Sequence, residues 1–91
     1  MNEQSRIVRH PNALSAPLLQ ESILIDPDAK EYFCLEDVGH FIWGQIETEK
    51  SLGEIATNIS NSFKVDYEIA LADLIEFAES LLEKKLVIVS A

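Results

Sequence analysis

The chain carries a single cysteine, Cys34, among its 91 residues, so it builds neither an internal disulfide nor a cysteine zinc cluster by itself. That usage fits a reducing compartment. Three prolines and three glycines leave little room for long loops. The glycines stand apart at positions 39, 44 and 53, so no Gly-rich phosphate loop is present. Positive charge is scarce: seven Lys and Arg face 16 Asp and Glu, for a net charge of −9. Phosphate contacts need Lys and Arg to displace counterions, so this balance argues against nucleic acid as a partner. A partner with basic groups, or one that docks through apolar contacts, fits better. No apolar run approaches membrane-spanning length, and Met1 to Arg6 lack the basic-then-apolar pattern of an export signal. The expectation is a soluble cytoplasmic protein with no membrane partner.

Catalytic groups are equally sparse. His10 and His40 are the only histidines, and no H-x-x-x-H or H-E-x-x-H spacing links them. Each reads as a surface or half-buried side chain rather than a metal ligand. Cys34 lies in a β-pattern with no nearby histidine, so it reads as a partly buried small apolar residue and not as a nucleophile. The carboxylates are numerous but form no acid–base pattern. The chain is expected to be no enzyme, with no catalytic residue, no metal and no cofactor.

What remains is globular composition, 47% hydrophobic and 25% charged, of a length for one domain over residues 1–91. Residues 1–5 are polar and expected to be flexible. Ile7 and Val8 predict a short strand at 6–9, ended by His10-Pro11-Asn12. Residues 18–25 read as a strand of imperfect alternation. Asp26-Pro27-Asp28-Ala29-Lys30 is a strong turn signal, since Asp bonds its own backbone and Pro presets the dihedral. Residues 31–35 return as a strand, with Phe33 and Leu35 on one face and Tyr32 and Cys34 on the other. The result is a hairpin, or a three-stranded sheet if 6–9 joins it.

From Glu36 the period changes. Val38, Phe41, Ile42 and Ile46 recur at helical spacing, with Glu36 and Asp37 placed to complement the helix dipole and Trp43 beside the stripe. Ser51 caps a second helix, with Glu54 three residues on in a capping box and Leu52, Ile55, Ala56, Ile59 and Phe63 as its apolar stripe. Asp66 is the expected cap of a long helix over 66–84, where Lys84 and Lys85 suit the negative C-terminal end. Residues 86–89 read as a closing strand or an extended tail. The fold class is α+β: an N-terminal three-stranded antiparallel sheet followed by three helices, resembling a winged helix-turn-helix.

The long helix carries the anomaly. Ala70, Leu71, Leu74, Ile75, Phe77, Ala78, Leu81 and Leu82 form an apolar arc of about 160°, wider than the ~100° stripe that one core requires. Two readings stay open: a helix buried between two layers, or one with its core on one side and a groove on the other. If 31–35 is a sheet edge, its free N–H and C=O groups can pair with an incoming extended peptide. Asp73 and Glu76 flank the arc and stand where they would meet a Lys or Arg of such a guest, or else form a solvated face. Asp73, beside Phe77, has the better claim. A DNA-reading third helix is opposed by Asp66, Glu68, Asp73, Glu76, Glu79 and Glu83 against Lys84 alone.

The run Ile23-Leu24-Ile25-Asp26-Pro27-Asp28, then Glu31-Tyr32-Phe33-Cys34-Leu35, Val38-Gly39-His40-Phe41-Ile42-Trp43 and Ser51-Leu52-Gly53-Glu54-Ile55-Ala56, resembles PqqD-like proteins. These are stand-alone peptide recognition elements of ribosomal peptide modification pathways. Val65-Asp66, Ala72-Asp73-Leu74, Phe77 and Leu81-Leu82 fit the third helix of that family, so the likeness covers about residues 18–88. Two positions depart from it: Glu36 stands where the family often has Asn, and Lys85 where it often has Gly. The resemblance implies that the leader of a precursor peptide binds as an added strand and is handed to a separate enzyme. Contacts would fall on Tyr32, Phe33, Cys34 and Leu35 of the strand and on Ala70, Asp73, Leu74, Phe77 and Leu81 of the helix. The free-standing form looks most like lasso-peptide systems, where the partner enzyme is a leader peptidase. Delivery to a radical-SAM enzyme is the alternative within the family, and a winged-helix transcriptional regulator or a permanently bound structural subunit are alternatives outside it.

Overall fold

The computed structural model describes residues 1–26 and 31–90. The turn expected at 26–30 therefore lies, from Pro27 to Lys30, outside the described residues. In chain order the elements are β1 (Arg6–Arg9), β2 (Leu14–Leu18), β3 (Glu21–Asp26), β4 (Glu31–Leu35), α1 (Asp37–Gln45), β5 (Lys50–Ser51), α2 (Leu52–Phe63), α3 (Tyr67–Glu83) and β6 (Val87–Ser90). Among the described residues the protein is an α+β domain with three helices and two three-stranded antiparallel sheets.

The strand assignment differs from the sequence expectation in three places, one of them the short β5, which pairs with β1 and lies between α1 and α2, so the sheets do not all precede the helices. The hairpin does gain a third strand, but it is β2, which pairs with β3 from Leu14↔Ile25 to Leu18↔Glu21. The expected single strand at 18–25 is thus broken by a tight turn at Leu19 and Gln20. Residues 6–9 join the other sheet, between β5 and the closing strand β6, with Arg6↔Ser90 and Arg9↔Val87 as its outer pairs. Strand pairing across some 80 residues leaves no local signal, whereas the β3–β4 pairing, Leu24↔Phe33 at its centre, follows from adjacent alternation.

The core gathers Ile7 from β1, Leu24 from β3, Ile42, Trp43 and Ile46 from α1 and its end, Leu52, Ile55, Ala56 and Ile59 from α2, Ala70, Leu74, Ala78 and Leu81 from α3, and Leu86 and Val87. Trp43, placed by periodicity only beside the α1 stripe, is 1% exposed. Arg9 covers it: the guanidinium lies 4.6 Å from the ring centroid and donates twice to the Trp43 carbonyl, at 3.0 and 2.7 Å. One side chain thereby ties β1 to the C-terminal end of α1, where carbonyls lack intrahelical donors.

The helix ends follow the sequence signals closely. Ser51 Oγ accepts from Glu54 N at 3.1 Å, which is one of the two bonds of the expected capping box. Asp66 occupies the N-cap of α3, but through its backbone: its carbonyl accepts from Ala70 N, and its side chain makes no cap bond. At the other end of α3, Leu86 N donates to Leu81 O at 2.9 Å and Lys85 N to Leu82 O at 3.0 Å. These two bonds make a Schellman motif, with buried Leu86 and Leu81 as its apolar contact.

Lys85 sits in that motif at φ 60°, the left-handed conformation that glycine adopts without a Cβ penalty. The departure from the family's glycine is therefore tolerated, at a price in backbone strain. Lys85→Gly is expected to stabilise the protein by about 1 kcal/mol and raise its melting temperature by about 5 °C. An unchanged or lower midpoint in thermal circular dichroism would contradict this reading of the turn.

Candidate peptide-binding groove

Each strand of a sheet directs half of its backbone groups to each side, so an end strand presents a row without ladder partners. In the β2-β3-β4 sheet, β4 is such an end strand. The chain's own tail does not fill that edge, because β6 pairs with β1 in the other sheet. The inner face of the sheet carries buried Ser22 and Leu24 with half-buried Phe33 and Leu35, and the outer face carries exposed Tyr32 and Cys34. The alternation expected for 31–35 is observed.

Where β4 ends, an apolar groove of about 430 Å³ opens between β4, α1, the end of α2 and α3. Its floor is core: Ile42, Ile59, Ala70 and Leu74, all buried. Leu35, Val38 and Phe77 form one wall, with Phe63, Val65 and Ile69 opposite in sequence and more exposed. Phe63 is held by an edge-on contact with Phe41, ring centroids 5.3 Å apart. Local backbone explains how α2 delivers it: Lys64 takes φ 56°, ending the helix in a left-handed cap and turning the chain toward α3.

The width of the α3 arc has two causes. Ala70, Leu74, Ala78 and Leu81 point into the core, and Leu71 and Ile75 pack partly against it. Phe77, at the other margin, faces the groove, and the groove continues past Asp73 to Ile69. The arrangement is the second of the two readings, core on one side and groove on the other, since Leu82 at the outer margin is 42% exposed and no second layer covers it among the described residues. Ile69 and Phe77 are the signal that separates them, since they flank Asp73 at i−4 and i+4.

Of the residues expected to touch a guest, Cys34, Leu35, Ala70, Asp73, Leu74 and Phe77 line the groove. Tyr32 stands 75% exposed on the outer face of β4. Phe33 lies under Lys84, whose Nζ is 4.9 Å from the ring centroid. Leu81 is 4% exposed and belongs to the core, which leaves its side chain no surface for a guest. Glu36, Val38, Gly39, Ile42, Ile59, Phe63, Val65 and Ile69 complete the lining and were not singled out as contacts in the sequence. Half of them, Val38, Ile42, Ile59 and Phe63, belong to the expected helix stripes, and only tertiary packing reveals which end of a stripe is uncovered.

Cys34 corrects a second expectation: it is exposed, and its Sγ donates to Glu21 Oε2 at 3.1 Å. That hydrogen bond, with smaller contributions from desolvation and the neighbouring acids, holds the thiol above its ordinary pKa. A thiol kept protonated is a poor nucleophile. Ser22 Oγ and His40 Nδ1 lie 2.7 Å apart, but Ser22 is buried at 5% exposure. The pair fastens β3 to α1 and offers no accessible nucleophile. Among the described residues, no helix is long and apolar enough to cross a membrane.

The fold and groove define a class: a small α+β domain with an open sheet edge beside an apolar trough. The family model for coenzyme PQQ synthesis protein D (PqqD) matches residues 21–87, and the chain belongs to the PqqD family. Its fold is similar to a solved structure of TbiB1 in complex with the TbiA(beta) leader peptide. That match has 30% identity and a TM-score of 0.82, over 88% of this chain and 93% of that one. A lasso peptide synthetase B1 complexed with its leader peptide shares the fold at 21% identity and a TM-score of 0.79, over 90% of this chain and 96% of that one. No curated protein sequence matches the chain.

Proposed function

We propose that this protein is a single peptide-recognition domain over residues 1–91 that binds the leader of a ribosomally made precursor by β-strand addition and delivers it to a separate processing enzyme. The observation that carries the reading is the edge of β4, unpaired among the described residues, running into the apolar groove. Backbone bonds to β4 supply affinity without regard to side chains, and the groove selects the side chains. The leader complexes formed by the two similar proteins support the same use of this fold. On this reading the domain is non-catalytic and cytoplasmic, the partner enzyme is a leader peptidase of lasso-peptide biosynthesis, and the sheet-and-helix order is a variant winged helix-turn-helix. Leu35, Asp73 and Phe77 contact the guest by side chain above a floor of Ala70 and Leu74, while Tyr32, Phe33 and Cys34 contribute backbone.

The test uses the precursor captured from the native cell and its leader made synthetically. Hydrogen exchange with and without that leader should show new protection in β4 and none in β2, the other end strand of the sheet. Protection confined to β2, or binding that leaves β4 amides exchanging freely, would refute strand addition at this edge.

A further inference from the structure

Two charged side chains line the groove, Glu36 just past β4 and Asp73 on α3, and both are acidic. Glu76 joins Asp73, Phe77 and Ser80 around a depression alongside. Among the described residues neither Glu36 nor Asp73 has a cationic partner, because the ion pairs are Arg6 with Glu49 and Arg9 with Glu47. The positive group beside β4 sits further back along the strand, where Lys84 covers Phe33. The charged groups that line the groove where Leu35 meets it are therefore acidic and without a partner cation among the described residues.

An exposed carboxylate beside an apolar wall is well solvated while the groove is open. A guest that covers the groove strips that water away, which penalises the carboxylate unless the guest supplies a donor. We propose that the groove selects peptides bearing a Lys or Arg that reaches Asp73 and Glu36 next to an apolar anchor seated in the pocket. This rests on the leader-docking reading and specifies the chemistry of the guest. Antiparallel pairing is the more stable ladder, and an antiparallel guest passes the Glu36 end of β4 with its own N-terminal side. The cation accordingly lies N-terminal to the paired stretch.

Selection of a displayed library of short random peptides on the immobilised full chain tests this. Enriched peptides should share a Lys or Arg at a fixed spacing before an apolar or aromatic residue. Their affinity should fall about tenfold in the Asp73→Asn, Glu36→Gln double variant, the size of a lost charge-assisted hydrogen bond. Selection on Asp73→Lys should shift the enriched position toward Asp or Glu. Peptides that lose binding in Phe77→Ala but show no basic position, and bind the double variant as tightly as the parent, overturn the inference and leave the groove standing. A library that yields no peptide sensitive to Phe77→Ala overturns both.

Discussion

Phe77→Ala should weaken leader binding by about thirtyfold, or about 2 kcal/mol, the scale of an aromatic anchor in a desolvated pocket. Phe77 is half-buried and lines the groove at its junction with β4. Its ring is close enough to α1 that a Cβ on Gly39 would lie 3.7 Å from Cε1. Truncation removes the wall between the sheet edge and α3, so a guest side chain loses its apolar contact at the point where strand pairing must be registered. The same ring also packs against the core, so some stability is lost with it. Ile69→Ser separates the two effects, because Ile69 is 55% exposed and contributes little to folding. It should reduce affinity severalfold while leaving the thermal midpoint unchanged. Fluorescence anisotropy with a labelled leader measures both variants. Wild-type affinity in the two would place the binding surface elsewhere.

The largest stability effect should come from Trp43→Ala. Deleting a fully buried aromatic side chain costs about 3–5 kcal/mol, against a total of roughly 5–13 kcal/mol for a domain of this length. The variant should therefore unfold at far lower urea than the parent, or fail to fold at 37 °C. Trp43→Phe provides the contrast. Among the described residues Trp43 Nε1 is buried without a hydrogen-bond partner, so phenylalanine removes an unsatisfied donor while keeping an aromatic ring in place. It should lose only about 1 kcal/mol or less. If Trp43→Phe proves as damaging as Trp43→Ala, the indole N–H has an acceptor and the account of this corner of the core is wrong.

Much of this architecture was legible in the residues before any coordinates. The hairpin partners β3 and β4, the cap at Ser51, and the span of α3 to within a residue or two all follow from local alternation, periodicity and capping. β2 was not legible. Leu14-Ser15-Ala16-Pro17 lacks β-branched residues, and a proline inside a strand is tolerated only at an edge, which is where β2 lies. The partner of β1 was hidden for a different reason, since its neighbour β6 arrives from the far end of the chain. The groove was half legible. Asp73 and Phe77 announced themselves by bordering an overwide apolar arc, but Ile69, Val65 and Phe63 acquire meaning only once the α2–α3 junction brings them to the end of β4. Helix stripes record what is apolar, not which portion stays uncovered.

The pairing of β1 with β6 has a consequence of its own. With Arg6 opposite Ser90, the first and last strands enter and leave side by side, like the two leads of a plug. Such a unit can be spliced into a surface loop of a larger enzyme without stretching either host or insert. The same ninety-odd residues are thus mechanically suited to serve as a free carrier or as a built-in cassette.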